Sequence, residues 1–345
     1  MLKNMNDLFD KLLVLRSPGI GPVAYEKLIK QFGSPAAVAD TLRDNRELVD
    51  AVHREIDLAM RLGACFVCDT DAEYPVELKN IKGHPPVICA RGNLDTLKKP
   101  IVGIVGTRYA TATGIRFISD LAECFANHNV AVASGMAIGT DTAAHSGALR
   151  AAGNAQTIAV LGGGVDYVWP IENESLYNEI IERGVVISEM PMGFVPRATN
   201  FVQRNRWIAG ISSKIILGEA DIKSGSMRTA QFAMDFGREL WAVPSHPADT
   251  RSAGPNSLIA RGVAKLCSGA GDFFHDVATS PENRQNINLN ANLENDLLNA
   301  LGSVPVPESV LADVVKKTIT EIKRDLVVLE LRGLVQKQNG GYIKL

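Results

Sequence analysis

The 345-residue sequence lacks a large excess of charge of either sign, since 36 Lys and Arg residues stand against 38 Asp and Glu residues, a formal net charge of −2. This balance excludes a protein coated with basic residues for general nucleic-acid binding, although it leaves room for a local basic site. The sequence also contains no run of about 18 apolar residues and no signal-peptide pattern at its start. We therefore expect a cytoplasmic protein without a membrane-spanning helix.

Cysteine is scarce and irregularly spaced. The chain contains five Cys residues and a single C-x-x-C pair, Cys65 and Cys68. A structural metal site needs a second pair of ligands at regular spacing, and none follows in the sequence. An odd number of irregularly spaced Cys residues is typical of reduced thiols. We predict that Cys65 and Cys68 lie in an apolar strand, and we expect neither a metal nor a cofactor.

Residues 1–97 are predicted to form a small helical domain followed by a connecting segment. Leu8, Leu12 and Leu15 recur at helical spacing, and the sequence SPGIGP at residues 17–22 then stops the helix. The hairpin PGIGP with the helix after it has two interpretations. It is either a helix-hairpin-helix unit, which offers backbone N–H groups to a DNA phosphate, or a tight turn in a helical bundle. A single hairpin is weak evidence, so the tight turn is favoured.

Residues 98–278 alternate between apolar β-branched runs and helical stretches. The predicted strands lie at residues 101–105, 130–133, 157–161, 185–187, 214–217, 239–243 and 263–266. Continuous apolar strands separated by helices are typical of a parallel sheet covered on both faces. We therefore predict the α/β class, with an extended Rossmann-like, doubly wound parallel sheet. Such sheets bind ligands at the carboxyl ends of their strands, near the point where the strand order reverses.

The last part of the chain is predicted to be a linker and a small domain. Residues 279–292 contain five Asn residues and too few apolar residues to build a core, which predicts a linker. Residues 293–345 resume helical spacing and end in two short strands around an Asn-Gly-Gly turn, which predicts a winged-helix domain. Residues 290–345 carry seven basic and seven acidic residues, so we expect this domain to contact a partner protein rather than DNA.

Glycine and hydroxyl residues follow two of the predicted strands. The first strand is followed by Gly106, Thr107 and Arg108, and the second by Ser134 and Gly135. Glycine lets the backbone approach a ligand closely, and N–H groups at the start of the next helix bind anions. The Arg108 guanidinium suits a phosphate. Because the spacing is not the G-x-G-x-x-G of dinucleotide-binding proteins, we expect no nicotinamide cofactor.

Basic and aromatic residues are concentrated between residues 197 and 228, where six Lys and Arg residues stand against two acidic residues. Aromatic rings stack on bases while Arg residues hold phosphates, a combination that suits single-stranded nucleic acid. The alternative is that the aromatic residues pack in the core while the arginines bridge loops. The candidate binding residues of this segment are Arg197, Phe201, Arg204, Asn205, Arg206, Lys223, Gly225 and Ser226.

A second hypothesis is a Rossmann-type enzyme acting on a nucleotide or nucleoside phosphate. Asp141, His145 or Glu219 would then serve as acid–base groups. This hypothesis is disfavoured because Val165 follows the glycines at 162–164, whereas nucleotide-cleaving Rossmann proteins have the pattern PGGxGTxxE. The sequence also shows no Walker loop and no nucleophile elbow, so we expect no catalysis.

The order of these motifs resembles that of the DprA/Smf family of bacterial DNA-processing proteins. The segments that carry the resemblance are GTRYATATG, SGMAIGTDTAAHSGAL, TIAVLGGGVDYVWPIENESLY, ISEMPMG, FVQRNRWIAGIS, EADIKSGSMRTAQFA and GPNSLIARGVAKL. The resemblance covers most of the chain. It implies a SAM-like N-terminal helical domain, an extended Rossmann domain and a C-terminal winged helix.

The resemblance also implies a function. Members of this family bind and protect incoming single-stranded DNA and load the RecA recombinase during natural transformation, usually as homodimers through the Rossmann domain. Arg108 matches the family's phosphate-binding Arg, and Ile138 stands where the family usually has another Arg. Four residues match the family's F-x-x-R-N-R stretch, in which the ring stacks on a base: Phe201, Arg204, Asn205 and Arg206.

Overall fold

The computed structural model describes residues 5–152, 156–274, 297–302, 304–338 and 340–345. The chain divides into two compact units, Met1–Phe274 and His275–Leu345. Among the described residues, no helix combines the length and the apolar character that crossing a membrane requires.

The first unit begins with four helices, as predicted: α1 (Met5–Leu15), α2 (Pro22–Phe32), α3 (Pro35–Asp40) and α4 (Arg46–Arg61). The hairpin between α1 and α2 turns at Gly19, whose φ of 78° lies in the left-handed region that glycine tolerates. Pro22 occupies the first turn of α2, where its missing N–H costs no helical hydrogen bond. Arg16, just after α1, donates two hydrogen bonds of 2.8 Å to the Glu55 carboxylate on α4. The helices are thereby fixed against one another.

A nine-stranded sheet forms the centre of the first unit. Its strands are β1 (Ala64–Cys68), β2 (Val87–Gly92), β3 (Ile101–Val105), β4 (Ala131–Ser134), β5 (Thr157–Val160), β6 (Val185–Ser188), β7 (Lys214–Leu217), β8 (Glu239–Ala242) and β9 (Lys265–Leu266). They lie in the order β1-β2-β6-β5-β4-β3-β7-β8-β9. All pairs from β6 to β9 are parallel, which confirms the predicted doubly wound sheet.

The sheet is larger than predicted at one edge. β1 pairs with β2 and β2 with β6, both antiparallel, so residues 64–92 belong to the sheet although we predict much of this segment as a connection. The short run VICARG of β2 follows two prolines, and no alternating pattern distinguishes it from an irregular apolar segment. β1 is the apolar strand predicted around Cys65 and Cys68, and all five Cys residues are free thiols.

Helices cover both faces of the sheet and leave a reversal point at β3. The remaining helices of this unit are α5 (Val76–Lys79), α6 (Ala112–Asn127), α7 (Thr140–Arg150), α8 (Glu174–Arg183), α9 (Ala198–Ile211), α10 (Gly225–Asp235) and α11 (Ala253–Ala260). α6 and α7 pack on one face, whereas α9 and α10 pack on the other. From β3 the chain builds outward to β6 and then returns to place β7 on the other side of β3. The loops after β3 and β7 therefore part at β3, which opens a crevice there.

The second unit contains α12 (Glu308–Val315), α13 (Ile319–Leu331) and an antiparallel hairpin of β10 (Val335–Gln338) and β11 (Gly341–Lys344). Thr318 caps α13, and Glu321 reaches back to it in a capping box. The described side chains that form its core include Leu297, Leu301, Leu311, Ile322, Leu326, Leu329 and Tyr342. These elements match the predicted helices and hairpin, and the winged-helix assignment stays a prediction. The linker predicted at residues 279–292 lies outside the described residues.

Candidate nucleic-acid interface

A crevice of about 550 Å³ lies at the carboxyl end of β3, where the strand order reverses. It is bounded by the loop after β3, by one side of α9 and by the start of α10. Eight of the thirteen residues predicted to bind nucleic acid line it: Gly106, Thr107, Arg108, Phe201, Arg204, Asn205, Gly225 and Ser226. The position is the one expected for a ligand site in a doubly wound sheet.

The loop after β3 is held in place by backbone contacts, while its arginine remains exposed. The Thr107 N–H donates to the Glu219 carbonyl at 2.7 Å, and the Thr140 hydroxyl donates to the Thr107 carbonyl at 3.1 Å. A Cβ at Gly106 would lie 2.4 Å from Thr140 Oγ1, so this close approach requires glycine. The loop thus presents the Arg108 side chain to the crevice from a fixed backbone.

Two aromatic rings form a platform beside Arg108. The Trp169 and Phe201 ring centroids lie 4.3 Å apart at an interplanar angle of 37°, and both residues are half-buried. The Arg108 guanidinium lies over the Trp169 ring, with Cζ 5.0 Å from the centroid. Rings of this kind offer a stacking surface to any base, and the neighbouring cation attracts phosphate. Trp169 is not among the residues predicted from the sequence, although it lies within one of the segments that carry the family resemblance.

Arg204 forms part of the crevice wall rather than projecting into solvent. It is 6% exposed, and its guanidinium donates to the Gly135 and Val160 carbonyls and to the Asn205 side chain. Burial lowers the pKa of Arg204 to about 10, an effect that the Asp141 carboxylate opposes and the Arg108 charge reinforces. The group stays protonated at neutral pH, so Arg204 braces the strand ends and also adds positive charge to the crevice.

The start of α10 supplies the opposite wall. α10 begins at Gly225, which is exposed, and the Ser224 and Ser226 hydroxyls lie 2.7 Å apart. The unpaired N–H groups and the dipole at a helix N-terminus favour an anion. A phosphate in this crevice would therefore lie close to both Arg108 and the N-terminus of α10.

The other five predicted residues do not line the crevice. Ser134 is buried and donates to the Ile104 carbonyl at 2.7 Å, and Gly135 lies behind the Arg204 guanidinium. Arg197 and Lys223 are exposed in the segments just before α9 and α10. Arg206 lies on the other side of α9 from Arg204, because two positions along a helix differ by about 200°. Its guanidinium lies over the Trp207 ring, 4.7 Å from the centroid.

The three candidate acid–base groups have structural hydrogen bonds. Asp141 accepts from the Gly135 and Ala137 N–H groups at 3.1 and 3.3 Å, and burial raises its pKa despite the nearby Arg204 charge. His145 is fully buried, with Nδ1 2.7 Å from the Thr157 hydroxyl, and burial lowers its pKa to about 3. Glu219 accepts from the N–H and the hydroxyl of Thr111 at 2.7 and 2.5 Å.

These features define a class of protein: a doubly wound α/β protein with a basic, aromatic-lined crevice at its reversal point. Residues 65–278 match the family model described as DNA recombination-mediator protein A, and residues 5–47 match that of the DprA-like N-terminal HHH domain. The chain therefore belongs to the DNA recombination-mediator protein A family, which confirms the DprA/Smf resemblance. The second match agrees with the helix-hairpin-helix interpretation of the N-terminal hairpin rather than with the tight turn.

Several known proteins are similar to this chain. Protein Smf of Synechocystis is 30% identical over 309 residues, which cover 84% of this chain and 71% of that protein. The crystal structure of DNA processing protein A from Streptococcus pneumoniae has a TM-score of 0.62 at 31% identity, covering 76% of this chain and 91% of that one. DNA processing protein A from Helicobacter pylori, in a study of its single-stranded DNA binding mode, has a TM-score of 0.57 at 27% identity. That likeness covers 62% of this chain and 95% of that one.

Proposed function

We propose that this protein binds and protects single-stranded DNA in the crevice and delivers it to the RecA recombinase during transformation or recombination, without catalysing a reaction. The observation that carries the proposal is the stack of Arg108, Trp169 and Phe201 opposite the start of α10. A base stacks on the rings while the phosphate is held by Arg108 and the helix start.

The surroundings of the candidate acid–base groups support a binding protein over an enzyme. Asp141, His145 and Glu219 are all hydrogen-bonded within the fold, and of the three only Asp141 lines the crevice. A general acid or base must reach the proton that it transfers. Family membership and the Helicobacter pylori relative, whose structure concerns binding of single-stranded DNA, favour the same function.

Fluorescence anisotropy with a labelled oligo-dT tests the proposal. Arg108→Ala and Trp169→Ala should each weaken binding roughly tenfold, since one variant removes a phosphate contact and the other a stacking ring. Arg116→Ala is the matched control, because Arg116 is an exposed arginine on α6 outside the crevice, and it should bind like the wild type. Unchanged affinity in both crevice variants would refute the site.

Two further parts of the proposal have their own tests. We propose a homodimer through the Rossmann-like domain, and sedimentation velocity would refute it by showing a monomer at micromolar concentration. We also propose RecA loading, which predicts faster RecA filament formation on an oligonucleotide already bound by this protein than on one coated by an unrelated single-strand binder. Equal rates would exclude this role.

A further inference from the structure

A second cavity, of about 510 Å³, lies on the other side of α9, facing the hairpin between α1 and α2. Its walls are mainly apolar and include Leu15, Ile20, Pro22, Pro86, Met190 and Phe194. Proline rings and an aromatic ring offer flat surfaces to a planar ligand. Neither the family resemblance nor the crevice accounts for this pocket, which we call the hairpin pocket.

One wall of the hairpin pocket contains a buried donor without an acceptor. Trp207 is 5% exposed, and its Nε1 has no hydrogen-bond partner among the described residues. Buried N–H groups almost always have a partner, because leaving one unpaired forfeits its hydration. The Glu189 carboxylate lies near this N–H without accepting a hydrogen bond from it, so the donor is available to a ligand that brings an acceptor.

The hairpin pocket also contains a carboxylate, that of Glu189, just after β6. Burial raises the pKa of Glu189, while the proximity of the Trp207 N–H and the charges of Arg206 and Arg16 lower it. Both arginines are engaged elsewhere: Arg16 with Glu55 at 2.8 Å, and Arg206 with the Lys82 carbonyl at 2.8 Å. The two carboxylate oxygens are acceptors suited to a ligand with adjacent N–H groups.

We propose that the hairpin pocket binds a nucleobase of the DNA strand held in the crevice, with a preference for guanine. Guanine has two adjacent donors, N1–H and the N2 amino group, which would pair with the two Glu189 oxygens. Its O6 acceptor lies next to them on the same edge and would accept from the Trp207 N–H. The apolar walls would enclose the faces of the ring.

The two cavities adjoin at α9, which lies between this site and the crevice. Val202 lines both cavities, so a strand can leave the Phe201 platform, pass over the exposed first half of α9 and enter the hairpin pocket. Arg206 lies on the pocket side of α9, so its charge would attract the phosphates of that strand. This inference rests on the proposed function, since it places a second base of the same ligand.

Binding of three 12-mers to the full-length protein tests the inference: oligo-dT, the same strand with one central dG, and the same strand with one central dI. Deoxyinosine lacks the N2 amino group of guanine. Since a bidentate contact discriminates between bases, we expect the dG strand to bind roughly tenfold more tightly than oligo-dT, with dI in between. The strand can shift its register, so one dG is sufficient.

Two variants assign the preference to the hairpin pocket. Glu189→Gln and Trp207→Phe should bring the dG-to-dT affinity ratio close to one, because each removes a partner of the guanine edge. Glu182→Gln, which changes an exposed carboxylate on α8, should keep the wild-type ratio. If a variant fails to fold, the comparison of dG, dI and dT in the wild type still decides the matter.

The outcomes separate this inference from the proposed function. Equal affinities for dG, dI and dT, with binding that still depends on Arg108, would overturn the base pocket alone. Absence of any oligo-dT binding would overturn the proposed function as well. If N-acetylarginine amide quenches tryptophan fluorescence in the wild type but not in Trp207→Phe, and dGMP gives no such Trp207-dependent quenching, the pocket belongs to a basic residue of a partner protein and the inference is overturned.

Discussion

Arg108 and Arg204 carry the same guanidinium group, but their surroundings give them different roles. Arg108 is exposed and stacks over Trp169, so its charge is available to a ligand. Arg204 is buried and directs its N–H groups to the Gly135 and Val160 carbonyls. The first residue contacts DNA in our proposal, whereas the second shapes the surface that DNA contacts.

Substitution of each arginine by lysine separates these roles. Arg204→Lys keeps the charge but cannot reproduce the forked donors, so we expect it to lower the free energy of unfolding by about 2–3 kcal/mol. Arg108→Lys should change it by less than about 0.5 kcal/mol. Urea unfolding followed by tryptophan fluorescence reports on this unit, because all three Trp residues lie between residues 169 and 241. Equal stability of the two variants would contradict the role of Arg204.

The buried His145 predicts a dependence of stability on pH. Its pKa is about 3 in the fold against 6.5 in the unfolded chain, so the unfolded state binds more protons between these values and stability falls as pH decreases through that window. From pH 7.5 to pH 5 this loss amounts to about 2 kcal/mol. A His145→Gln variant lacks this pH-dependent loss. The difference in the free energy of unfolding between wild type and variant should therefore be smaller at pH 5 than at pH 7.5. A constant gap would show that His145 titrates normally.

At the residue scale, the sequence predicts which kinds of residue form the site better than it predicts which of them lie next to each other. Arg108 and Phe201 were identified from their motifs, and the crevice contains both. Trp169 was missed, because its position beside Phe201 depends on how a loop packs against α9. The sequence groups Arg206 with Phe201, because neither the match to F-x-x-R-N-R nor a count of charges along the segment gives the direction of each side chain. The helical phase of α9, which the sequence already contains, separates Arg206 from Phe201.

At the scale of elements, α9 separates the crevice from the hairpin pocket, with one cavity on each of its sides. Phe201, Arg204 and Asn205 face the crevice, and Gln203 and Arg206 face the hairpin pocket. Its C-terminal half, by contrast, is buried against the sheet. One helix therefore both packs the core and sets the distance between two candidate base sites.

The turn after β4 fits tightly against α9, which gives a prediction for two glycines. A Cβ at Gly135 would lie 2.4 Å from Arg204 Cζ, whose position is fixed by buried hydrogen bonds, so Gly135→Ala should destabilise the protein by about 1–3 kcal/mol. Gly225→Ala is the control, because a Cβ there meets no atom within 4 Å. Thermal unfolding of both variants measures the difference. An unchanged melting temperature for Gly135→Ala would mean that Arg204 moves aside at little cost.

Elements were predicted well where their pattern was long and regular. The seven parallel strands all appear, because runs such as those of β3 and β7 are apolar and separated by helices. The sequence pattern does not predict β2, because its antiparallel partner β6 lies far along the chain. Ala90 lies opposite Ile187 of β6. Local pattern alone carries no information about a partner so far along the chain.

At the scale of the whole molecule, a net charge of −2 coexists with a basic crevice. Residues 1–97 carry 12 basic and 14 acidic residues, whereas the crevice is lined by Arg108 and Arg204 against Asp141. We infer that DNA contacts one groove and not the surface at large. The number of phosphates neutralised should then be small.

The dependence of oligo-dT affinity on salt measures that number. Each neutralised phosphate of a single strand contributes about 0.7 to the logarithmic slope, so contact with about three to five phosphates predicts a slope of roughly −2 to −3.5. Arg108→Ala should make the slope shallower by somewhat less than one. Titrations at several salt concentrations test both values, and a slope near −7 would indicate binding over a much wider basic surface.

The pairing of β3 with β7 also determines when the crevice comes into existence during synthesis. Val102 pairs with Lys214, which is 112 positions later in the chain, so Arg108 is made long before the helix start that completes its crevice. Closing such a long loop is slow, and until it closes β3 is an edge strand with unpaired backbone groups. A nascent chain that stalls before β7 thus leaves the edge of β3 exposed at the centre of the sheet. The domain proposed to protect DNA is then the part of the chain most open to unwanted strand pairing.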